Sequence, residues 1–381
     1  MTLQTLQIGM EWFAEHPGGL NRVYGHLLSE LAAQGVESFG LVAGTPNVEH
    51  DSAGLARAVA PVGAPVWTRL RRLRAAALPW LNAHGRDGVV ASHFAMHALP
   101  LLDRLRDRPF VVHFQGPWGE ESRVEGGSAS SVAVRTFLER QVYRRADAAI
   151  VLSDAFADIL ASRFGIPRER IHVIPGGVEA SRFAGMRSAD SCRLELGWPT
   201  DRPIVLCVRR LVRRVGLDAL LEAMVEVRQR VPDVLLLIAG TGPLRQEMEL
   251  RIASLGLADS VRLLGFVPED RLPSAYRAAD LTIVPSLALE GFGLITVESL
   301  AAGTPCIVTP VGGLTEIVVR FAPQLVTASP RAADIGEVLA TALLGQRPVP
   351  TAEACAEYAK TNFDWPIIAT RVRHVYERVR G

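Results

Sequence analysis

Lysine is almost missing: Lys360 is the only one in 381 residues, so nearly every positive charge belongs to an arginine. A guanidinium is a planar, permanently charged fork that matches phosphate oxygens. Net charge is also missing, since 41 basic residues stand against 40 acidic ones, which excludes a global attraction to nucleic acid and leaves any basic surface local. Cysteine is scarce. Cys192, Cys207, Cys306 and Cys355 are scattered without CxxC spacing, a pattern of reduced thiols that implies neither zinc nor disulfides. Long apolar runs are absent, and stretches such as VLLLIAG at 234–240 fall far short of the ~20 residues a membrane span needs. The opening MTLQTLQIGMEW has no basic region ahead of an apolar stretch, so it reads as a first strand and not a secretory signal, and a cytoplasmic protein is expected.

What is present is enough for full cores: 49% of residues are hydrophobic, and the length suits two domains of about 150 to 200 residues. Through the first half, short apolar runs (LQIGM, SFGLVAG, GVVASH, FVVHFQG, AAIVLS) alternate with longer amphipathic ones. Strict alternation implies a parallel sheet with helices on both faces. IHVIPGGV at 171–178 closes that half, and the Ser/Ala/Arg-rich stretch from Ala180 to Cys192 reads as a linker. The pattern then restarts with PIVLCVRRL and repeats through VLLLIAGTG, VRLLG, LTIVPS and CIVTP. The expected fold is α/β, with doubly wound domains over 1–180 and 190–364 facing across a cleft at the carboxyl ends of their strands. In the tail, Ile367, Val372, Val375, Tyr376 and Val379 form a helical stripe, so 365–381 is expected to pack back on the first domain.

The richest stretch is TIVPSLALEGFGLITVESLAAGTPCIVTPVGGLTE at 282–316. A strand ends near Pro285 and a helix runs to Gly303, which puts Glu290 in the loop and Glu298 inside the helix. The amides of Gly291, Phe292, Gly293 and Leu294 would then lie at a helix N-terminus, where about half a positive charge favours a phosphate. An ionised carboxylate accepts from adjacent hydroxyls, so one glutamate suits a transferred sugar and the other a ribose.

Three other segments carry chemistry. EWFAEHPGGLNRV ends in Gly18-Gly19 where a helix begins, which fits either a close backbone approach to a ligand or a tight strand-to-helix turn. VRRLVRRVG at 208–216 gathers Arg209, Arg210, Arg213 and Arg214 in one loop after a strand, where guanidinium forks can hold a pyrophosphate. FVVHFQG puts His113 and Gln115 on one face of a strand, about 6.6 Å apart at ~3.3 Å per residue. In 66–81, Trp67, Leu70, Leu73, Ala77 and Leu81 form a stripe with Arg69, Arg71, Arg72 and Arg74 mostly outside it. That fits peripheral contact with an anionic membrane surface or a core-facing helix with a solvated basic side. GTGPLR at 240–245 follows a strand but breaks the GxGxxG pattern at Arg245.

Together these residues resemble the retaining glycosyltransferases of family 4 (glycosyl transferases group 1), which have the GT-B fold of two Rossmann-like domains. The arginine loop, VLLLIAGTGPL, VRLLGFVP, AADLTIVPS, the EGFG that leads to Glu298, and AGTPCIVTPVGGLTE stand in the family's order and spacing. The resemblance implies transfer of a sugar from a nucleotide diphosphate sugar to an acceptor hydroxyl, with retention of configuration and without a metal or other cofactor. It implies that Glu290 holds donor-sugar hydroxyls, that the amides from Gly291 to Leu294 hold the sugar and phosphate, and that Glu298 accepts from the ribose. Phe266-Val267 would offer backbone to the base, and Gly18-Gly19 would close on the pyrophosphate. The acceptor would be a sugar, a small molecule or a lipid-linked group, with the protein at the inner membrane face in the last case. Segments 44–66 and 117–130 would supply the acceptor pocket.

The chain departs from the family pattern at Gly176 and Glu179, where Asn and Asp are usual, and at two positions that bear on the site. Val215 stands where a lysine usually follows the arginine at Arg210, so Arg214 or Arg209 is expected to take its charge. Gln115 stands where the first domain usually has histidine, which leaves His113 to compensate or makes a proton relay unnecessary. Two other functions fit the same fold: a nucleotide-sugar epimerase of GT-B type, which would need no acceptor, and a non-catalytic scaffold.

Overall fold

A computed structural model of the chain describes every residue except Met1, Glu125, Ala184 and Met186. Glu125 belongs to the segment 117–130, and Ala184 and Met186 to the stretch read as a linker; these positions lie outside the described residues. The protein forms two compact units, Met1–Gly176 with Trp365–Gly381, and Gly177–Asp364.

The first unit is built on seven parallel strands: β1 (Gln4–Glu11), β2 (Glu37–Ala43), β3 (Ala56–Ala60), β4 (Val89–Ser92), β5 (Phe110–Phe114), β6 (Ala148–Val151) and β7 (Ile171–Val173). Their order is β3-β2-β1-β4-β5-β6-β7. β4, β5 and β6 are buried along their whole length, which is why VVAS, FVVHF and AAIV read as continuous apolar runs and not as alternating ones. One layer of helices closes a core from Leu73, Ala77 and Leu81 to Tyr143, Leu160 and Phe164. The segment 44–66, expected to help form the acceptor pocket, holds the short helix Asn47–Asp51 and β3.

The tail forms the helix Trp365–Arg380, which buries Trp365, Ile368, Ala369, Val372, Val375 and Tyr376. Ile368 thus takes the place expected of Ile367, one residue round the helix. His26 stacks on Trp365 with ring centroids 5.6 Å apart.

The second unit has five parallel strands, β8 (Ile204–Val208), β9 (Leu235–Ala239), β10 (Val261–Gly265), β11 (Leu281–Val284) and β12 (Cys306–Val308), in the order β10-β9-β8-β11-β12. The stretch expected to link the domains is structured inside this unit, as a 3-10 turn at Ala180–Phe183 and a helix at Ala189–Leu196. Arg193 explains why: it is buried, and its guanidinium reaches the Ala278 carbonyl at 2.8 Å and Asp280 at 2.8 Å. Because all five strands point one way, their carboxyl ends bring the segments after β8, β10, β11 and β12 to one edge of the sheet. Among the described residues, no helix is long and apolar enough to cross a membrane.

Candidate functional site

β11 ends in a loop whose backbone is held tightly. Leu289 adopts φ 53°, a left-handed conformation that a branched side chain avoids unless its surroundings impose it. Next to it, the Glu290 carbonyl accepts from the Gly313 amide at 3.0 Å. Gly312, at φ +55°, lies so close that a Cβ there would stand 2.0 Å from the same carbonyl oxygen, so only glycine fits.

The Glu290 side chain is fixed as well. Its Oε2 accepts from Arg209 Nη2 at 2.6 Å and from the Ser286 hydroxyl at 2.9 Å, while Arg209 Nη2 also donates to Ser286 at 3.0 Å. The arginine and glutamate side chains are 9% and 13% exposed. Removing one partner of such a desolvated pair costs about 3–5 kcal/mol. Oε1 of Glu290 accepts from no side chain among the described residues. Ser286, four residues before Glu290 and buried, escapes a search of the sequence for charged groups.

The helix Leu294–Ala301 begins directly after this loop. Its N-cap is Gly293 at φ 95°, and no side chain caps it; the Thr296 amide turns back to the Gly293 carbonyl at 2.9 Å, and the Leu294 and Ile295 amides ahead of it lack intrahelical partners. Phe292 turns inward against Phe363, with centroids 5.7 Å apart. The EGFG turn is thus anchored by its aromatic ring. Glu298 lies on the inner side of the helix, 8% exposed, and its Oε2 accepts from the Tyr276 hydroxyl at 2.8 Å. Tyr276, buried in the helix Leu272–Ala278, carries no signal in LPSAYRAA beyond a core aromatic.

The arginine loop follows β8 and packs against the loop after β11. A Cβ on Gly216 would meet the Pro285 carbonyl at 1.9 Å, and the Leu287 amide donates to the Arg214 carbonyl at 3.0 Å. GTGPLR closes on the loop from the other side, with Leu211 donating to the Thr241 carbonyl at 3.0 Å. The four arginines separate. Arg209 is tied to Glu290, and Arg213 pairs with Glu247 on the surface at 3.1 Å. Arg210 is exposed and Arg214 half-buried, and among the described residues neither has a carboxylate partner. Val215, at the lysine position of the family pattern, is buried. Phe266 is exposed and Val267 half-buried after β10.

In the first unit, Gly18 has extended backbone and leads into the helix Gly19–Ala33, which has no side-chain cap. A Cβ on Gly18 would meet nothing within 4 Å. Asn21 closes the preceding loop by accepting from the Glu11 amide at 3.2 Å and donating to the His16 carbonyl at 2.9 Å. Gln115 stands half-buried just past β5.

His113 does not join it. The ring is 6% exposed, stacks on His93 at 4.0 Å and uses Nε2 on the Tyr376 hydroxyl at 2.7 Å. Burial holds its pKa down to about 3. The expectation that His113 compensates for Gln115 therefore fails, because the inward face of β5 is part of the core. Trp67 also leaves the stripe expected for 66–81: Leu73, Ala77 and Leu81 are buried, while Trp67 is 65% exposed with Arg71 over its ring at 5.5 Å.

Comparison with known proteins gives a consistent picture. Residues 190–362 match the family model for glycosyl transferases group 1, and residues 17–182 match that for Glycosyltransferase Family 4. The chain is 30% identical over 249 residues to 2-deoxystreptamine glucosyltransferase of Streptomyces kanamyceticus, covering 65% of this chain and 64% of that protein. It is 35% identical over 229 residues to D-inositol 3-phosphate glycosyltransferase of Nocardia farcinica, covering 58% of this chain and 50% of that protein. The matches thus span less than two thirds of these curated relatives. Among solved structures, sucrose-phosphate synthase from Thermosynechococcus elongatus superimposes with a TM-score of 0.81 at 23% identity, over 99% of this chain and 98% of that one. Anabaena HepE in complex with UDP-glucose gives 0.77 at 18% identity, over 99% and 100%.

Proposed function

Because this chain belongs to the glycosyl transferases group 1 family and has the GT-B fold, we propose that it moves a sugar from a nucleotide diphosphate sugar to an acceptor hydroxyl, with retention of configuration and without a metal. The observation that carries this reading is Glu290: a carboxylate with one oxygen fixed by Arg209 and Ser286, just ahead of a helix N-terminus that no side chain caps. Glu290 Oε1 would accept from donor-sugar hydroxyls, and the Gly291 to Leu294 amides would meet the sugar and phosphate. Glu298 would accept from the ribose, and Phe266-Val267 would lie against the base. HepE, solved with UDP-glucose, supports a donor of this class.

In the reaction, the bond between the anomeric carbon and the diphosphate oxygen breaks, and the acceptor oxygen bonds to that carbon from the same face. The departing diphosphate takes the acceptor's proton. Charge develops on the leaving phosphate, and Arg210, Arg214 and the helix N-terminus would stabilise it without rearranging. If the acceptor is lipid-linked, exposed Trp67 and Arg71 would meet the anionic surface that carries it.

A thermal-shift screen over nucleoside diphosphates and their sugars tests the donor, because a ligand at 100 times its Kd adds about 2.7 kcal/mol. Product analysis with the stabilising donor then tests the reaction. A new nucleotide sugar formed without an acceptor would mean epimerisation, and no stabilisation by any of them would reject the reading.

A further inference from the structure

We propose that Arg209 is a positioning residue, which fixes Glu290 for the donor sugar and does not bind the donor's diphosphate. The proposal rests on the reading of Glu290 as a sugar ligand and separates Arg209 from the other cations of its loop.

Four arginines within six residues suggest one phosphate-binding cluster, but the side chains divide the work. Nη2 of Arg209 closes a triangle with Ser286 Oγ at 3.0 Å and Glu290 Oε2 at 2.6 Å, and Ser286 completes it by donating to the same Oε2 at 2.9 Å. With 9% of the side chain exposed and its charge matched by one carboxylate, Arg209 offers a diphosphate little net attraction. Arg210 and Arg214, which lack a carboxylate among the described residues, keep theirs.

What the triangle secures is orientation. Glu290 follows Leu289, whose φ of 53° is disfavoured, so the loop must be held in place by its neighbours. The Gly313 amide fixes the Glu290 backbone and Arg209 fixes the side chain. With Oε2 committed, the carboxylate cannot rotate and Oε1 keeps one direction. A glutamate without this clamp would sample several rotamers, and placing it would cost the bound state conformational freedom. Arg209 thus serves the sugar half of the donor, while Arg210 and Arg214 serve the diphosphate half.

The test compares Arg209→Met, Arg209→Lys, Arg210→Met and Arg214→Met. For each, calorimetry measures the affinity for uridine, guanosine and adenosine diphosphate, and steady-state assays measure kcat and KM with the preferred nucleotide sugar. Arg209→Met is expected to bind the diphosphate within about twofold of wild type yet lose about 100-fold in kcat/KM, the size of a small misplacement at a reacting centre. Arg209→Lys should recover part of that loss. Arg210→Met and Arg214→Met should each weaken the diphosphate about tenfold or more, as removal of a charged hydrogen bond does. If Arg209→Met does not fold, Ser286→Ala carries the same comparison, with turnover lowered and diphosphate affinity kept. The proposal is overturned if Arg209→Met weakens the diphosphate as much as Arg214→Met, or if its turnover stays within threefold of wild type. Wild-type protein that binds none of the three diphosphates would instead overturn the donor reading itself, and the proposal with it.

Discussion

The Tyr376 hydroxyl lies 2.7 Å from Nε2 of His113, a residue 263 positions earlier in the chain. The same hydroxyl donates to Gln7 Oε1 at 3.3 Å, an oxygen that also meets His93 Nε2 at 3.0 Å. Gln7 in turn donates to Thr5 at 3.0 Å. One tail residue therefore completes a buried network between β1, β4 and β5. Tyr376→Phe keeps the ring but leaves His113 Nε2 without its partner, at about 1–3 kcal/mol, while Gln7 Oε1 keeps His93. The melting temperature should drop by several degrees while the affinity of the second unit for nucleoside diphosphates stays the same. An unchanged melting temperature would show that the network adds nothing.

Acid should weaken the first unit through these histidines. Burial lowers His113 to about 3, His97 to about 4, and His93 well below its ordinary value, whereas an unfolded chain takes up the protons near 6.5. Between those limits the unfolded state binds more protons, so stability is full above about pH 6.5 and falls as pH drops towards 4, by about 1.4 kcal/mol per pH unit for each histidine. Melting curves at successive pH values should show this slope, and His113→Asn should make it shallower. Equal slopes for both proteins would remove His113 from the account.

Gly312→Ala should disable the site and also lower stability, because both its positive φ and the contact with backbone oppose a side chain. The new methyl group would press on the Glu290 carbonyl, 2.0 Å from an ideal Cβ, and displace the carboxylate, for which a loss of about 100-fold in kcat/KM is expected. Gly345→Ala is the control, since Gly345 also has positive φ, at +68°, but a Cβ there meets nothing within 4 Å. Equal activity in the two variants would mean that the loop tolerates the shift.

Glu298 should read the ribose. Wild-type protein is expected to prefer a nucleoside diphosphate over its deoxyribose counterpart by about tenfold, the worth of a hydrogen bond to a charged group. Glu298→Ala should bind both alike, since Oε2 is held by Tyr276 and the alanine leaves no acceptor. A preference that survives the substitution would place the ribose elsewhere.

Arg210→Ala should lose most activity and Arg214→Ala much of it, because Arg209 and Arg213 are already paired. Near-normal turnover in both would end the assignment of this loop to the diphosphate.

Strand and helix order was legible because parallel strands buried on both faces leave unbroken apolar runs, and VLLLIAG and FVVHFQG did. ARAVA at β3 was missed: five residues with an arginine among them resemble a loop. In the site, glutamates, arginines and glycines could be found by residue type and spacing. The use of each could not, since the sequence makes Arg209 and Arg210 equivalent and only packing commits one to Glu290 and exposes the other. His113 looked available because it shares a strand face with Gln115; burial decided otherwise. Ser286 and Tyr276 gave no warning, because hydroxyls that orient a carboxylate look like any other hydroxyls until the loop closes.

The division of the chain also sets an order in time. Residues 177–364 make up all of the second unit, yet the helix that supplies Trp365 and Tyr376 to the first unit follows them. During synthesis from the N-terminus, the second unit therefore has its full set of residues while β1, β4 and β5 still wait for theirs. Until that helix is made, Gln7 Oε1 and His113 Nε2 lack the Tyr376 hydroxyl that they meet in the fold.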